Sequence, residues 1–242
     1  MNFIIDVGNT RTKFALFSSH NLVMQQAHSV NVFAAAKAFA ERQPIRHAIL
    51  SASGNVPPEL YVWLTTQFKT IVLTHKTPIP IVNKYATPET LGKDRLAGVV
   101  GAFLEFGTSC LVIDTGTSIT YNLINGQGEF LGGNITPGIQ MRLQSMHHFT
   151  AKLPLVSVDG DLPMVGYDTA TALRTGACRG VVLEMDGFIS SYQQEFVPLT
   201  AIVTGGNTEY FVNHLKNPIF ADPNIVLKGL NKILQYNVQT IF

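Results

Sequence analysis

One eight-residue stretch occurs twice in this 242-residue chain, and that repeat constrains the fold more than any other feature. Ile5-Asp6-Val7-Gly8-Asn9-Thr10-Arg11-Thr12 aligns with Ile113-Asp114-Thr115-Gly116-Thr117-Ser118-Ile119-Thr120, 108 residues later, sharing Ile, Asp, Gly and the last Thr. The surroundings match too. Each copy follows a short apolar run (Phe3 to Ile5; Leu111 to Ile113) and leads into another (Lys13 to Phe17; Ile119 to Ile124), the pattern of strand, tight turn and strand. Asn125-Gly126 then turns the second copy into a third strand at Glu129 to Leu131.

Between the copies the pattern predicts strands near Ala48 to Ser51 and Thr70 to Thr74, and a helix around Leu60 to Phe68. Thr77 to Pro88, with three prolines, reads as an extended loop. A helix follows from Asp94 to Phe106, with Leu96, Val99, Val100, Phe103 and Leu104 at helical spacing. Beyond the second hairpin come helices near Gly138 to Phe149 and Thr169 to Phe196 and a strand at Thr200 to Val203. Helices near Thr208 to Leu215 and Val226 to Tyr236 complete the chain. Two halves, 1–107 and 108–242, each opening with a hairpin and continuing through helices and strands, predict a duplicated α/β architecture.

Composition excludes several functions. Seventeen Lys and Arg balance sixteen Asp and Glu for a net charge of +1, without the positive excess that a nucleic-acid phosphate backbone demands. Only 14% of residues are charged, but no stretch approaches the roughly 18–20 uninterrupted apolar residues of a bilayer span, so no membrane partner is expected. The opening run Phe3-Ile4-Ile5 stops at Asp6, too soon for a signal peptide, and the expected location is cytoplasmic. Cys110 and Cys178 lie in apolar surroundings without CxxC or HExxH spacing, which argues against a disulfide framework and a zinc site.

Each Asp-x-Gly turn puts a carboxylate at a strand end. The turn that follows can aim N–H groups and hydroxyls at phosphate oxygens while the Asp holds a cation. One such hairpin per half would grip a polyphosphate and replace the absent GxxxxGK[ST] loop; alternatively, each is an ordinary hairpin turn. Lys13 ends the first copy, where an ammonium reaches a phosphate or is simply solvated. Gly205-Gly206-Asn207 either lets backbone approach a nucleoside or starts a helix with Asn207 as its cap. Asp94, in Gly92-Lys93-Asp94-Arg95, is a helix N-cap or a general base for a hydroxyl nucleophile, with Arg95 available for an anionic substrate group. His147-His148 reads as a helix end, and Tyr61 and Trp63 read as core.

Taken together, these residues resemble the type III pantothenate kinases, in the superfamily of acetate kinase, sugar kinases, actin and heat-shock ATPases. The resemblance runs over nearly the whole chain. It rests on DxGNTxxK at Asp6 to Lys13, GxDR at Gly92 to Arg95 preceded by Tyr85 and Pro88, and DTGTxxT at Asp114 to Thr120. GGxIxPG at Gly132 to Gly138, the Gly166 to Gly176 segment with Thr169, and Gly205-Gly206 complete it. The two DxG motifs are shared across the superfamily; GxDR and GGxIxPG in this order are far more particular. Lys93 stands where the family more often has a small residue, and Gly54-Asn55 interrupts the Ser51 to Pro57 segment.

The resemblance implies two tandem ribonuclease H-like domains in a duplicated, actin-like ATPase fold. It also implies ATP-dependent phosphorylation of pantothenate to 4′-phosphopantothenate, the first step of coenzyme A synthesis. Asp6, Val7, Gly8, Asn9, Thr10, Arg11, Thr12, Lys13 and Thr117 would hold ATP, with Asp6 helping to place Mg²⁺. Asp114 would serve a monovalent cation, K⁺ or NH₄⁺, and Asp94 would accept the proton of the pantothenate hydroxyl. Tyr85, Gly92, Lys93, Asp94, Arg95 and Thr169 would line the pantothenate pocket, Lys93 mainly through its backbone. Two other readings stand beside this one: a catalytically silent nucleotide- or pantothenate-binding regulator, and a kinase of the same fold acting on another small acceptor. The family is dimeric, and apolar surface buried between subunits would explain why so few residues are charged.

Overall fold

The computed structural model describes residues 1–241, and residue 242, the end of the 108–242 half, lies outside the described residues. The chain forms two compact units. The first comprises Met1–Gly107, Ile124–Gly132 and the C-terminal segment from Asn224; the second comprises Thr108–Leu123 and Gly133–Pro223. The segment 124–132 and the final helix thus pack with the first unit.

In the first unit, β1 (Asn2–Val7), β2 (Thr12–Ser18), β3 (Asn21–His28), β4 (His47–Ala52) and β5 (Lys69–Val72) form a sheet in the order β3-β2-β1-β4-β5. β1 and β2 are antiparallel, as are β2 and β3; β4 and β5 run parallel to β1. β1 is buried on both faces because both are covered. Phe3, Ile5 and Val7 pack with Phe14, Leu16 and Leu50 against α1 (Val32–Ala40) and α2 (Pro58–Gln67) through Ala36, Phe39, Leu60 and Leu64. Trp63 joins this cluster edge-on to Phe3 and Phe68, as the core reading expects, whereas Tyr61 on the same helix is exposed.

α3 (Lys93–Phe106) and α7 (Ile225–Ile241) pack together and contact β4. Glycines set how closely they cross. A side chain on Gly101 would meet the Ile225 carbonyl, and one on Gly229 would meet the Ala97 carbonyl. β3 and α1 carry little periodic signal. β3 is an edge strand with mostly exposed residues, and α1 is an alanine-rich helix that starts after Asn31 in a left-handed conformation with no side-chain cap. Both lie in a stretch for which the hydrophobic pattern predicts no element.

The expected loop at 77–88 is partly zipped. β6 (Val82–Asn83) pairs in parallel with Glu129 and Phe130 of β9 (Glu129–Pro137), with Val82 N–H donating to the Gly128 carbonyl at 2.9 Å and Lys84 N–H to the Phe130 carbonyl at 3.0 Å. In the second unit, β7 (Ser109–Thr115), β8 (Ser118–Ile124), the later part of β9, β10 (Leu199–Thr204) and β11 (Phe220–Ala221) follow the order β9-β8-β7-β10-β11. That repeats the order of the first sheet strand for strand, with β10 again parallel to β7. α4 (Ile139–His148), α5 (Thr169–Glu195) and α6 (Thr208–Val212) complete the unit. Its core joins Leu111, Ile113 and Tyr121 to Val181, Met185, Ile189 and Phe211. α5 starts with a reciprocal capping box in which Asp168 accepts from Thr171 N–H at 2.7 Å.

Candidate functional site

The first Asp-x-Gly turn closes where β1 meets β2. Gly8 N–H donates to the Arg11 carbonyl at 3.0 Å, and Asn9, Thr10 and Arg11 are exposed. Val7 and Thr12 are buried at the strand ends, with the Val7 carbonyl accepting from Ser53 and Gly54 N–H, each at 3.0 Å. Asp6 pairs across the hairpin with Lys13, so the carboxylate and the ammonium-bearing chain leave the same face of the sheet. Asp6 is only 8% exposed, and the Ser51 hydroxyl, its register partner on β4, donates to Asp6 Oδ1 at 3.0 Å.

The second turn has the same frame and different supports. Asp114, half-buried, stands opposite Thr204 on β10. The Thr115 hydroxyl donates to the Thr204 carbonyl at 2.7 Å, but the Thr204 hydroxyl, itself buried, has no hydrogen-bond partner. The chain turns directly after Thr204: Gly205 has φ of +97°, and a Cβ there would lie 2.5 Å from Asp114 Oδ1. The space against the carboxylate therefore exists because residue 205 is a glycine. Asn207 occupies the cap position of α6 but does not cap it; its amide donates to the Thr115 carbonyl at 3.2 Å and ties the Gly-Gly turn to the DTGT turn.

Beside that turn lies a cavity of about 590 Å³ lined by Gly205, Gly206, Thr208, Glu209 and Asn213 among others. Thr117 is exposed, and its carbonyl accepts from Gly138 N–H at 3.0 Å, so the end of the GGxIxPG segment rests on the DTGT turn. That segment is braced by Glu184, which accepts from Tyr121 at 2.9 Å, Thr136 at 2.7 Å and Arg142 at 2.6 Å. Burial alone would raise the Glu184 pKa, and the hydrogen bonds from Arg142, Thr136 and Tyr121 outweigh it and hold the carboxyl below its ordinary range. Thr169 is the exposed first residue of α5.

Around the start of α3 the structure brings together Tyr85, Gly92, Asp94 and Arg95. Gly92, not Asp94, takes the cap position, which corrects the cap reading: Asp94 stands in the first turn and accepts from Arg95 N–H at 2.8 Å. A Cβ on Gly92 would lie 2.6 Å from Asp94 Oδ1, so the glycine makes room for that carboxylate. Arg95 is 6% exposed, with its guanidinium carbon 5.4 Å from the centroid of the Tyr85 ring. Tyr85 in turn stacks on Phe130, centroids 6.0 Å apart and planes 10° apart. The β6 pairing places this tyrosine; the residues that flank it give no local sign of a strand. Lys93 folds back so that its ammonium donates to the Leu91 carbonyl at 3.3 Å.

Other candidates fall away from this chemistry. His147 and His148 end α4, with His147 Nδ1 2.7 Å from the Leu153 carbonyl. Both cysteines are buried and free, and burial raises the thiol of Cys110 to about 12 and shifts that of Cys178 upward. Among the described residues no cluster of three or more His, Cys, Asp or Glu could hold a metal ion, and no helix is long and apolar enough to cross a membrane. Ser51, Thr204 and Glu184 are the site residues that sequence reasoning missed. The first two become visible only once the parallel register of β4 and β10 is known.

A family model described as type III pantothenate kinase matches residues 2–191. A type III pantothenate kinase of Phocaeicola vulgatus is 43% identical over 239 residues, covering 98% of this chain and 99% of that one. One from Bacteroides fragilis is 41% identical over 248 residues, covering 98% of each. Among solved structures, the inorganic polyphosphate/ATP-glucomannokinase of Arthrobacter sp. strain KM superposes with a TM-score of 0.53 at 14% identity, over 98% of this chain and 100% of that one. The α/β architecture with two like-ordered sheets is thus that of the sugar kinases and actin-like ATPases. With the family model spanning most of its length and near full-length relatives above 40% identity, the chain belongs to the type III pantothenate kinase family.

Proposed function

We propose that this chain transfers the γ-phosphoryl group of ATP to the primary hydroxyl of pantothenate, giving 4′-phosphopantothenate at the head of coenzyme A synthesis. The observation that carries this reading is the Asp94 constellation. A carboxylate in the first turn of α3, given room by Gly92, stands next to a buried arginine held under an aromatic ring. Asp94 accepts the hydroxyl proton as the oxygen attacks in line, and Arg95 and Tyr85 bind the acidic acceptor. Gly92 and Lys93 contribute backbone, and Thr169 contributes its hydroxyl. Phosphoryl transfer runs through a loose transition state, so positioning and charge neutralisation count for more than base strength.

Asp6 to Lys13 and Thr117 hold the ATP phosphates, and the cavity at Gly205-Gly206 takes the nucleoside. The buried Asp6 carboxylate is a hard oxygen donor that fits Mg²⁺, whose chemistry is to neutralise phosphate charge. Asp114 serves a monovalent cation, K⁺ or NH₄⁺. The space left by Gly205 beside the carboxylate and the unsatisfied Thr204 hydroxyl support that assignment. The halves 1–107 and 108–242 are read as the duplicated units of descent, and the protein as cytoplasmic.

Purified protein given ATP, Mg²⁺, K⁺ and pantothenate is expected to produce ADP and phosphopantothenate; absence of product across pH and cation conditions would falsify the proposal. Asp94→Asn is expected to lower kcat about 10²–10⁴-fold with an unchanged circular dichroism spectrum. Near-normal turnover by that variant would return Asp94 to a purely structural role.

The low charge content points to a homodimer. Phe149, Met164, Val165 and Tyr167, all in the second unit, are each at least 69% exposed, apolar side chains that a second subunit would cover. Light scattering behind size exclusion is expected to give twice the chain mass; a stable monomer would remove that explanation for the 14% charge.

A further inference from the structure

Three elements of the second unit send hydrogen-bond donors to one carboxylate on a fourth. Glu184 of α5 accepts at Oε1 from the Tyr121 hydroxyl of β8 and the Thr136 hydroxyl of β9, and at Oε2 from the Arg142 guanidinium of α4. The Arg142 and Glu184 side chains are only 22% and 25% exposed, so this charge-assisted bond is largely shielded from water. No step of the kinase reaction touches Glu184 directly. It stands fifteen residues after Thr169, about 22 Å along α5 from the acceptor side.

The other nitrogen of Arg142 shows what the carboxylate holds. Arg142 Nε donates to the Pro137 carbonyl at 2.8 Å, so one guanidinium joins Glu184 to the bend at Pro137-Gly138. That bend rests on the DTGT turn. Gly138 N–H donates to the Thr117 carbonyl at 3.0 Å, and a Cβ on Gly138 would lie 2.5 Å from that oxygen and 2.7 Å from the Gly116 carbonyl oxygen. At the other end of the segment Gly133 has φ of +153°, and a side chain there would collide with the Tyr121 carbonyl. The stretch 133–138 therefore lies flush against β8 and its turn at both ends, with Thr136 between them bonded to Glu184. Surfaces packed this closely move together, so a shift of 136–142 is passed to the backbone of Thr117.

We propose that Glu184 is a positioning residue for the ATP phosphates: through Arg142 and Thr136 it holds the Pro137-Gly138 bend, and through that bend the Thr117 turn. The role of Thr117 rests on the kinase reading, which this deepens. A carboxylate that never meets a substrate thus sets the affinity for the phosphoryl donor and not for the acceptor.

The test assays the full chain carrying Glu184→Gln, with each substrate varied at a saturating level of the other. The KM for ATP is expected to rise about tenfold while kcat and the KM for pantothenate stay within about twofold, the pattern of binding lost equally from ground and transition states. Arg142→Lys keeps the charge but cannot bridge both partners, and is expected to give the same rise. The double variant is expected to do no more than either single one, because both break one path. Tyr121→Phe removes a donor from the same carboxylate without touching the bend, so it is expected to lower the unfolding midpoint and leave the KM for ATP within about twofold. Calorimetry with a non-hydrolysable ATP analogue and Mg²⁺ is expected to show the same loss of affinity. Because that measurement needs no acceptor, a parent protein without turnover on pantothenate would count against the kinase reading and leave this comparison standing. Unchanged ATP KM and analogue affinity in Glu184→Gln or Arg142→Lys would overturn the proposal. So would an equal rise in the KM of both substrates, or an effect of Tyr121→Phe as large as that of Glu184→Gln.

Discussion

The two Asp-x-Gly turns share strand order, register and motif, yet the hydroxyls that stand opposite their carboxylates behave differently. In the first, the Ser51 hydroxyl lies opposite Asp6 and bonds to it; in the second, the Thr204 hydroxyl lies opposite Asp114 and has no partner. After Ser51 the first strand continues with Ala52, still paired to Val7, whereas after Thr204 the second breaks at once into Gly205 with a left-handed backbone. Asp6 thus has a hydroxyl bonded to it from the neighbouring strand, whereas beside Asp114 stand a glycine and a hydroxyl that makes no hydrogen bond of its own.

The sharpest way to break this contrast is Gly205→Ala. Its Cβ would lie 2.5 Å from Asp114 Oδ1 and 2.7 Å from Thr115 N, on a backbone that side chains resist. A loss of about 3 kcal/mol in denaturant unfolding is expected, together with loss of activation by the monovalent cation. Unchanged cation activation would mean that the space beside Asp114 holds no ion.

Next in size is the paired removal of the two hydroxyls. Ser51→Ala takes a donor from a buried carboxylate and is expected to cost about 2 kcal/mol. Thr204→Val removes a buried hydroxyl that bonds to nothing, so stability is expected to stay level or rise by up to about 1 kcal/mol while the cation requirement increases. Equal losses from both variants would erase the distinction between the halves.

The smallest effect concerns Glu184, which braces the second turn and has no counterpart identified in the first. Its folded pKa is depressed, so its contribution is complete above the unfolded value and disappears as pH falls through the folded one. Glu184→Gln is expected to cost about 1 kcal/mol at neutral pH, and the gap from the parent protein should close in acid. Unfolding curves at a series of pH values would show it; a gap independent of pH would assign the cost to packing.

How far a residue could be read from sequence depended on where its partner lay. Asp6, Asp114 and the strands around them were legible because a short apolar run, a carboxylate and a glycine turn are adjacent in the chain. The helix carrying Asp94 showed its period, but the pattern did not distinguish a cap from a first-turn residue; that rests on the backbone at Gly92. β3 and α1 were illegible because an exposed edge strand and an alanine-rich helix carry little hydrophobic contrast.

By itself, then, the sequence determined what local chemistry can write: two hairpins with a carboxylate at each mouth, the helices that follow them, and the GxDR and GGxIxPG motifs that mark the family. Tertiary structure alone decided which hydroxyl faces which aspartate, that β6 zips onto β9 and seats Tyr85 against Phe130, and that the last helix returns to cross α3 at Gly101 and Gly229. The reason is separation along the chain. Turns and periodicity are fixed by neighbours, whereas parallel register and helix crossings join segments tens of residues apart, where only the fit of packed surfaces selects the partner.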